Sequence, residues 1–172
     1  MNTSNRLTEK QKQFFVNFCN YTGEELYFYG SIKRMDYIQG KSDIDTDIFT
    51  SNPVSTIQKI CNFLHIPKSD FKKTILKIGN KVVYGSKTMY QSEEYDIKVE
   101  ISVFNEKYKD LVLQEHQVKG SNLKPHVTFS LYIIKILYYI LGIISPTYYS
   151  RIKNFLINSS EPKFVALDNN LN

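Results

Sequence analysis

Apolar and polar residues alternate along this chain with two different periods, and the period switches several times. Phe14, Phe15 and Phe18 recur at helical spacing behind Thr8-Glu9-Lys10-Gln11, which has the form of a capping box, and Gly23 is a natural stop. This predicts a first helix over about residues 9–20. Residues 26–29 form a short aromatic run of strand character that ends at Gly30-Ser31, and residues 42–49 carry aspartates at every second position from 43 to 47. Asn52-Pro53 supplies a cap and a first-turn proline, with Val54, Ile57, Ile60, Cys61 and Leu64 on one face, so a second helix follows.

Residues 74–78 and 81–84 flank Gly79-Asn80, a two-residue hairpin signal. Residues 95–104 alternate cleanly: Ile97, Val99, Ile101 and Val103 face one way, and Asp96, Lys98, Glu100 and Ser102 the other. Asn105 can cap a helix to about residue 115, and residues 116–126 read as a basic loop that includes His116 and His126. The run 127–144 is the most hydrophobic stretch. A charge at Lys135, near its middle, is costly in lipid, so a buried helix or an oligomer contact is the reading and a membrane span the alternative. Ser145-Pro146 opens a last helix, and a polar tail occupies 159–172.

Composition narrows the class without naming a function. The 172 residues, 42% hydrophobic and 14% aromatic, suffice for one domain with a real core and argue against disorder. A net charge of +5 suits nucleotide phosphates or nucleic acid as partners. Cys19 and Cys61 have no metal-ligand spacing and read as reduced thiols, and the polar start shows no secretory signal; a cytoplasmic protein is the expectation. No repeat or linker divides residues 1–158, which are expected to form one domain, its sheet over about 24–104 and a helical part over 105–158.

The candidate chemistry lies between residues 26 and 49. Gly30 permits a sharp turn, and Ser31 is a good helix N-cap, so a helix with outward N–H groups is expected there, an arrangement that favours phosphate. In an extended strand Asp43, Asp45 and Asp47 share one face, with Ile44 and Ile48 on the other. Aspartate is a poor strand former and like charges repel, so alternating carboxylates invite a divalent cation. Mg²⁺ takes hard oxygen ligands and commonly shares carboxylates with substrate phosphates. The bland reading is an acidic, solvent-facing edge strand.

Gly30-Ser31, a spacer of about ten residues and Asp43-Ile44-Asp45 resemble the signature of the DNA polymerase beta-like nucleotidyltransferases, and Arg34 sits where many members keep a basic residue. Asp47 departs from that pattern, making the strand more acidic than it asks. The resemblance implies an α+β fold: a mixed, mostly antiparallel sheet of about five strands, helices on one face and a C-terminal helical segment. It implies two Mg²⁺ ions, with Mn²⁺ as a substitute, held by Asp43, Asp45 and a third carboxylate in the strand at 95–104. Glu100 is the first choice for that ligand and Asp96 the second. Gly30 and Ser31 would hold the phosphates. The implied reaction transfers a nucleoside monophosphate from a nucleoside triphosphate to an acceptor hydroxyl, releasing pyrophosphate. The acceptor is a nucleic-acid 3′ end, a protein hydroxyl or a small molecule, the basic balance tilting to the first. A catalytically inactive member that binds a nucleotide or a partner is the competing expectation.

Overall fold

The computed structural model describes residues 7–117 and 123–159, which fall into two compact units divided after Asn122. The positions expected as part of the basic loop and the polar tail, 118–122 and 160–172, lie outside the described residues.

Helix α1 (Glu9–Thr22) starts where its box predicts: Thr8 Oγ1 accepts from the Gln11 amide and the Gln11 side chain accepts from the Thr8 amide. It ends at Gly23, whose φ of 72° lets the amide reach back to the Cys19 carbonyl. Helix α2 (Pro53–Leu64) is capped by Asn52 accepting from the Ser55 amide. Five strands form one sheet: β1 (Tyr27–Tyr29), β2 (Ile44–Thr50), β3 (Lys72–Ile78), β4 (Lys81–Ser92) and β5 (Ile97–Asn105), in the order β1-β2-β5-β4-β3. Only β2 and β5 run parallel; the other pairs are antiparallel. This is the expected α+β architecture.

One face of the sheet carries the main core. Ile44 and Ile48 of β2 and Val99, Ile101 and Val103 of β5 are all buried beneath Phe14, Phe15 and Phe18 of α1 and Ile57, Ile60, Cys61 and Leu64 of α2. Each such side chain contributes roughly 1.5–3 kcal/mol through burial. Both cysteines are free thiols, with Cys61 in this core. The opposite face is polar except at one end. There helix α3 (Lys109–His116) sets Val112 against Phe104 and Val83.

The second unit contains α4 (Pro125–Tyr139) and α5 (Pro146–Ser159), joined through Val127, Leu131, Ile134, Tyr149, Leu156 and Ile157 and a stack of Tyr138 on Tyr149. The apolar run expected as one helix to residue 144 therefore breaks after Tyr139, where Gly142 adopts a left-handed φ of 63° ahead of Pro146. Lys135 is buried. Among the described residues no helix is long and apolar enough to cross a membrane.

Candidate functional site

The site is built on the polar face of β2 and β5. In the parallel register Asp45 lies opposite Glu100 and Asp47 opposite Ser102, while the antiparallel β1 sets Tyr29 beside Asp45 and Tyr27 beside Asp47. Residues opposite one another in a sheet share a face, so Tyr29, Asp45 and Glu100 form one row and Tyr27, Asp47 and Ser102 the next. Asp43 directly precedes β2 at the level of Lys98. The alternation read from the sequence thus does bring Asp43, Asp45 and Glu100 to one side of the sheet. Thr46 Oγ1, donating to the Glu100 carbonyl at 3.0 Å, adds a tie between the two strands.

Gly30 is required at the head of this row on two grounds. Its φ is 70°, and a Cβ placed there would lie 2.2 Å from Asp45 Oδ2. The glycine leaves room for the carboxylate. The α-helix expected after Ser31 does not form. Gly30–Lys33 is a single 3₁₀ turn whose cap position is Tyr29, and Ser31 is buried inside it at 8% exposure. A turn of four residues lacks the row of free amides that an α-helix presents. Arg34 is committed to structure: its guanidinium binds Asp36 through two contacts of 2.8 and 3.1 Å, both side chains being buried.

Protein cations already sit on the acidic row. Lys98 Nζ is 2.7 Å from Asp43 Oδ1, and Lys87 Nζ is 2.9 Å from Glu100 Oε2. Both lysines are nearly half exposed, so these are weak, exchangeable pairs. Among the described residues no three His, Cys, Asp or Glu side chains stand together as a ready cation cage. The donor set still suits Mg²⁺, which needs only one or two carboxylates plus water and substrate phosphates. Asp96, the alternative third carboxylate, is elsewhere. It occupies the turn before β5 with a φ of 47°, accepts from Gln11 Nε2 at its backbone carbonyl, and turns its carboxylate toward Gly40. Burial, reinforced by the Asp96 charge, pushes the neighbouring Tyr37 hydroxyl up to about 12.

One group was not legible in the sequence. His116, expected in a surface loop, is the last residue of α3; its Nε2 lies 2.7 Å from Asp47 Oδ2, and its ring stacks on Tyr29 at 3.9 Å and 8°. Asp47 is fully buried, and its Oδ1 has no hydrogen-bond partner. Burial raises its carboxyl above the ordinary value; the His116 contact pulls the other way, and the Glu100 charge adds to the rise. The Tyr29 hydroxyl is pushed far up by burial and then by the charges of Asp47, Asp45 and Glu100, with a hydrogen bond from Ser102 offsetting part. The acidity of position 47 was visible; a histidine 69 residues away carried no motif to link them. A cavity of about 680 Å³ at the β1 edge, lined by Cys19, Glu24, Glu25, Tyr27 and Lys33 among others, contains none of the row's carboxylates.

No protein-family model matches the sequence, and neither does any curated protein. Solved structures similar to the chain include the Cid1 poly(U) polymerase with MgGTP bound (15% identity, TM-score 0.34, covering 82% of this chain and 54% of that one). The GLD-2/RNP-8 complex matches at 13% identity and TM-score 0.39, over 88% and 50% of the two chains. A cytoplasmic RNA terminal U-transferase matches at 15% identity and TM-score 0.33, over 82% and 52%. The chain spans about half the length of the structures it matches.

Proposed function

We propose that this chain is a Mg²⁺-dependent nucleotidyltransferase, moving a nucleoside monophosphate from a nucleoside triphosphate to an acceptor hydroxyl with release of pyrophosphate. The observation that carries the reading is the register: Asp45 and Glu100, from adjacent parallel strands, stand side by side where Gly30 has no side chain to cover them. In this reading Asp43, Asp45 and Glu100 hold the metal, and Mn²⁺ can replace Mg²⁺. Bound there, the ions supply charge neutralisation on the triphosphate and a lowered pKa for the attacking hydroxyl. Glu100 would also take up the proton that the hydroxyl gives up. Gly30 and Ser31 border the phosphates, the first through its open Cα and the second through its backbone amide.

Lys87 and Lys98 hold Glu100 and Asp43 before substrate arrives and turn to the entering phosphates afterwards, which their flexible stems and water-facing ends allow. The Asp47–His116–Tyr29 cluster fixes the floor of the site and touches no reacting atom. Catalysis here is placement of charge, since phosphoryl chemistry asks little covalent work of a protein.

The test is transfer of label from each α-³²P nucleoside triphosphate to RNA, DNA or protein acceptors with Mg²⁺ or Mn²⁺. Asp45→Asn and Glu100→Gln are expected to stop transfer, and Asp96→Asn to leave it intact. Wild-type turnover by Asp45→Asn would refute the assignment.

A second reading has its own support. The pairing of Lys98 with Asp43 and of Lys87 with Glu100 neutralises two of the three carboxylates without a metal. A chain that binds a nucleotide or partner without turnover would look like this. It predicts nucleotide binding that is indifferent to chelation by EDTA, and no label transfer under any condition tried.

A further inference from the structure

The chain's excess charge is concentrated in one hairpin. Residues 72–92, comprising β3, its turn and β4, contain five lysines and no aspartate or glutamate, and the whole chain has a net charge of +5. All other residues together are neutral. The pairing of the two strands sorts these lysines between the faces of the sheet. Lys73 lies opposite Ser86, Ile75 opposite Tyr84 and Lys77 opposite Val82, so these six share one face.

That face is uncovered beyond the start of α2. Tyr84 is 63% exposed and Ile75 60%, and Val82, Lys73 and Lys77 are exposed as well. A cavity of about 330 Å³ adjoins it, bordered by Pro53, Lys73, Tyr84, Gly85 and Asn105 among others. Lysines on an edge strand often serve only to prevent edge-to-edge pairing. That role accounts for the charges but not for an exposed tyrosine, isoleucine and valine standing among them, which would favour the very association the lysines oppose.

We propose that the outer face of the β3–β4 hairpin binds single-stranded nucleic acid, with Tyr84 as a stacking platform and Lys73 and Lys77 on the flanking phosphates. The two lysines lie about 13 Å apart along β3, with the aromatic position between them. This is the alternation of cation and ring that single strands recognise without sequence preference. The route onward is also basic. Lys72, next to Lys73 but on the other face, pairs across the ladder with Lys87, which holds Glu100. A strand turning over the β3 edge would therefore pass from the platform to the acidic row along lysines. Binding is read from the hairpin alone; delivery of a 3′ end to the row rests on the transferase reading above.

Fluorescence anisotropy of the full chain with a labelled, unstructured 12-nucleotide RNA, across a salt series, tests the proposal. Wild-type protein is expected to bind, Tyr84→Ala to weaken binding about ten-fold, and Lys73→Gln with Lys77→Gln to flatten the slope of log affinity against log salt by about 1.4. All three positions are exposed, so the variants should keep the wild-type melting temperature. Absence of binding, unchanged affinity in the hairpin variants, or an equal loss in Lys10→Gln on α1 would each overturn the proposal. So would hairpin variants that lose binding to phosphatidylserine vesicles while RNA binding is untouched, which would make the face a lipid-binding one. If the hairpin variants lose RNA but wild-type protein transfers no label, the transferase reading fails and this inference stands. If label transfer proceeds and the hairpin variants bind RNA normally, the reverse holds.

Discussion

The two faces of β2 and β5 share a backbone and almost nothing else. On one, Ile44, Ile48, Val99, Ile101 and Val103 are closed off by two helices; on the other, Asp43, Asp45, Asp47 and Glu100 share one side of the sheet. Two carboxylates about 5 Å apart repel by roughly 3 kcal/mol at an effective dielectric constant of about 20. Five buried aliphatic side chains contribute roughly 7–15 kcal/mol. The apolar face wins with room to spare, which is how a strand so poor in intrinsic propensity on its acidic side can be held straight. One face is stability, spent partly on holding the other in an unfavourable arrangement.

Substitutions on the two faces should therefore fail in opposite ways. Asp45→Asn is expected to lower label transfer by about 10³-fold or more with no loss in urea midpoint, because it removes repulsion. Ile101→Ala, one position along from Glu100, should cost about 2–5 kcal/mol in urea unfolding. A stability loss in the first variant as large as in the second would erase the distinction between the faces. Gly30→Ala sits at the boundary: the left-handed backbone should cost about 1–2 kcal/mol, and the displaced Asp45 should lower turnover about 10²-fold. Unchanged turnover there would show that Asp45 tolerates movement.

Smaller effects probe the polar face alone. Lys87→Met removes a cation that competes with the metal, so Mn²⁺ affinity measured by paramagnetic resonance should rise up to about five-fold. A fall would mark Lys87 as a support for Glu100 instead. Asp47 gives the mildest signal. Its carboxyl is raised in the folded state, so the folded chain holds a proton that the unfolded chain has lost, and stability falls as pH climbs from the ordinary value of 3.8 toward the raised one. Asp47→Asn should remove that part of the decline; parallel urea-midpoint curves for the two proteins between pH 4 and 7 would contradict it.

Features with a local cause were legible in the sequence. Thr8 and Asn52 announce their caps, and each accepts the backbone amide expected of it, whereas Asn105 caps only a 3₁₀ turn over Glu106–Tyr108 and α3 begins later, at Lys109. Gly79-Asn80 marks its hairpin turn, and the alternation in β5 assigns Glu100 to the face that Asp45 occupies. Features that depend on distant partners were not. Ser31 has the chemistry of a cap, but Gly30 bends the chain first and tight packing against Asp45 leaves only a 3₁₀ turn. His116 sits at the start of a basic stretch in sequence, while in space it meets Tyr29 and Asp47 because α3 docks through Val112 and Phe104. The apolar run at 127–144 hid its break, since Ile140, Leu141 and Ile143 continue the hydrophobicity through a bend.

The single parallel pairing also fixes when the acidic row can come into being. Thr46 and Glu100, bonded across the two strands, are 54 residues apart in sequence. A nascent chain growing at about 5–20 residues per second would wait roughly 3–11 s between synthesising one side of the row and the other. The antiparallel β3–β4 hairpin, closed by two residues, needs no such delay and can form while β2 is still without its neighbour. During synthesis, the lysine-rich arm is ready before the carboxylates are gathered.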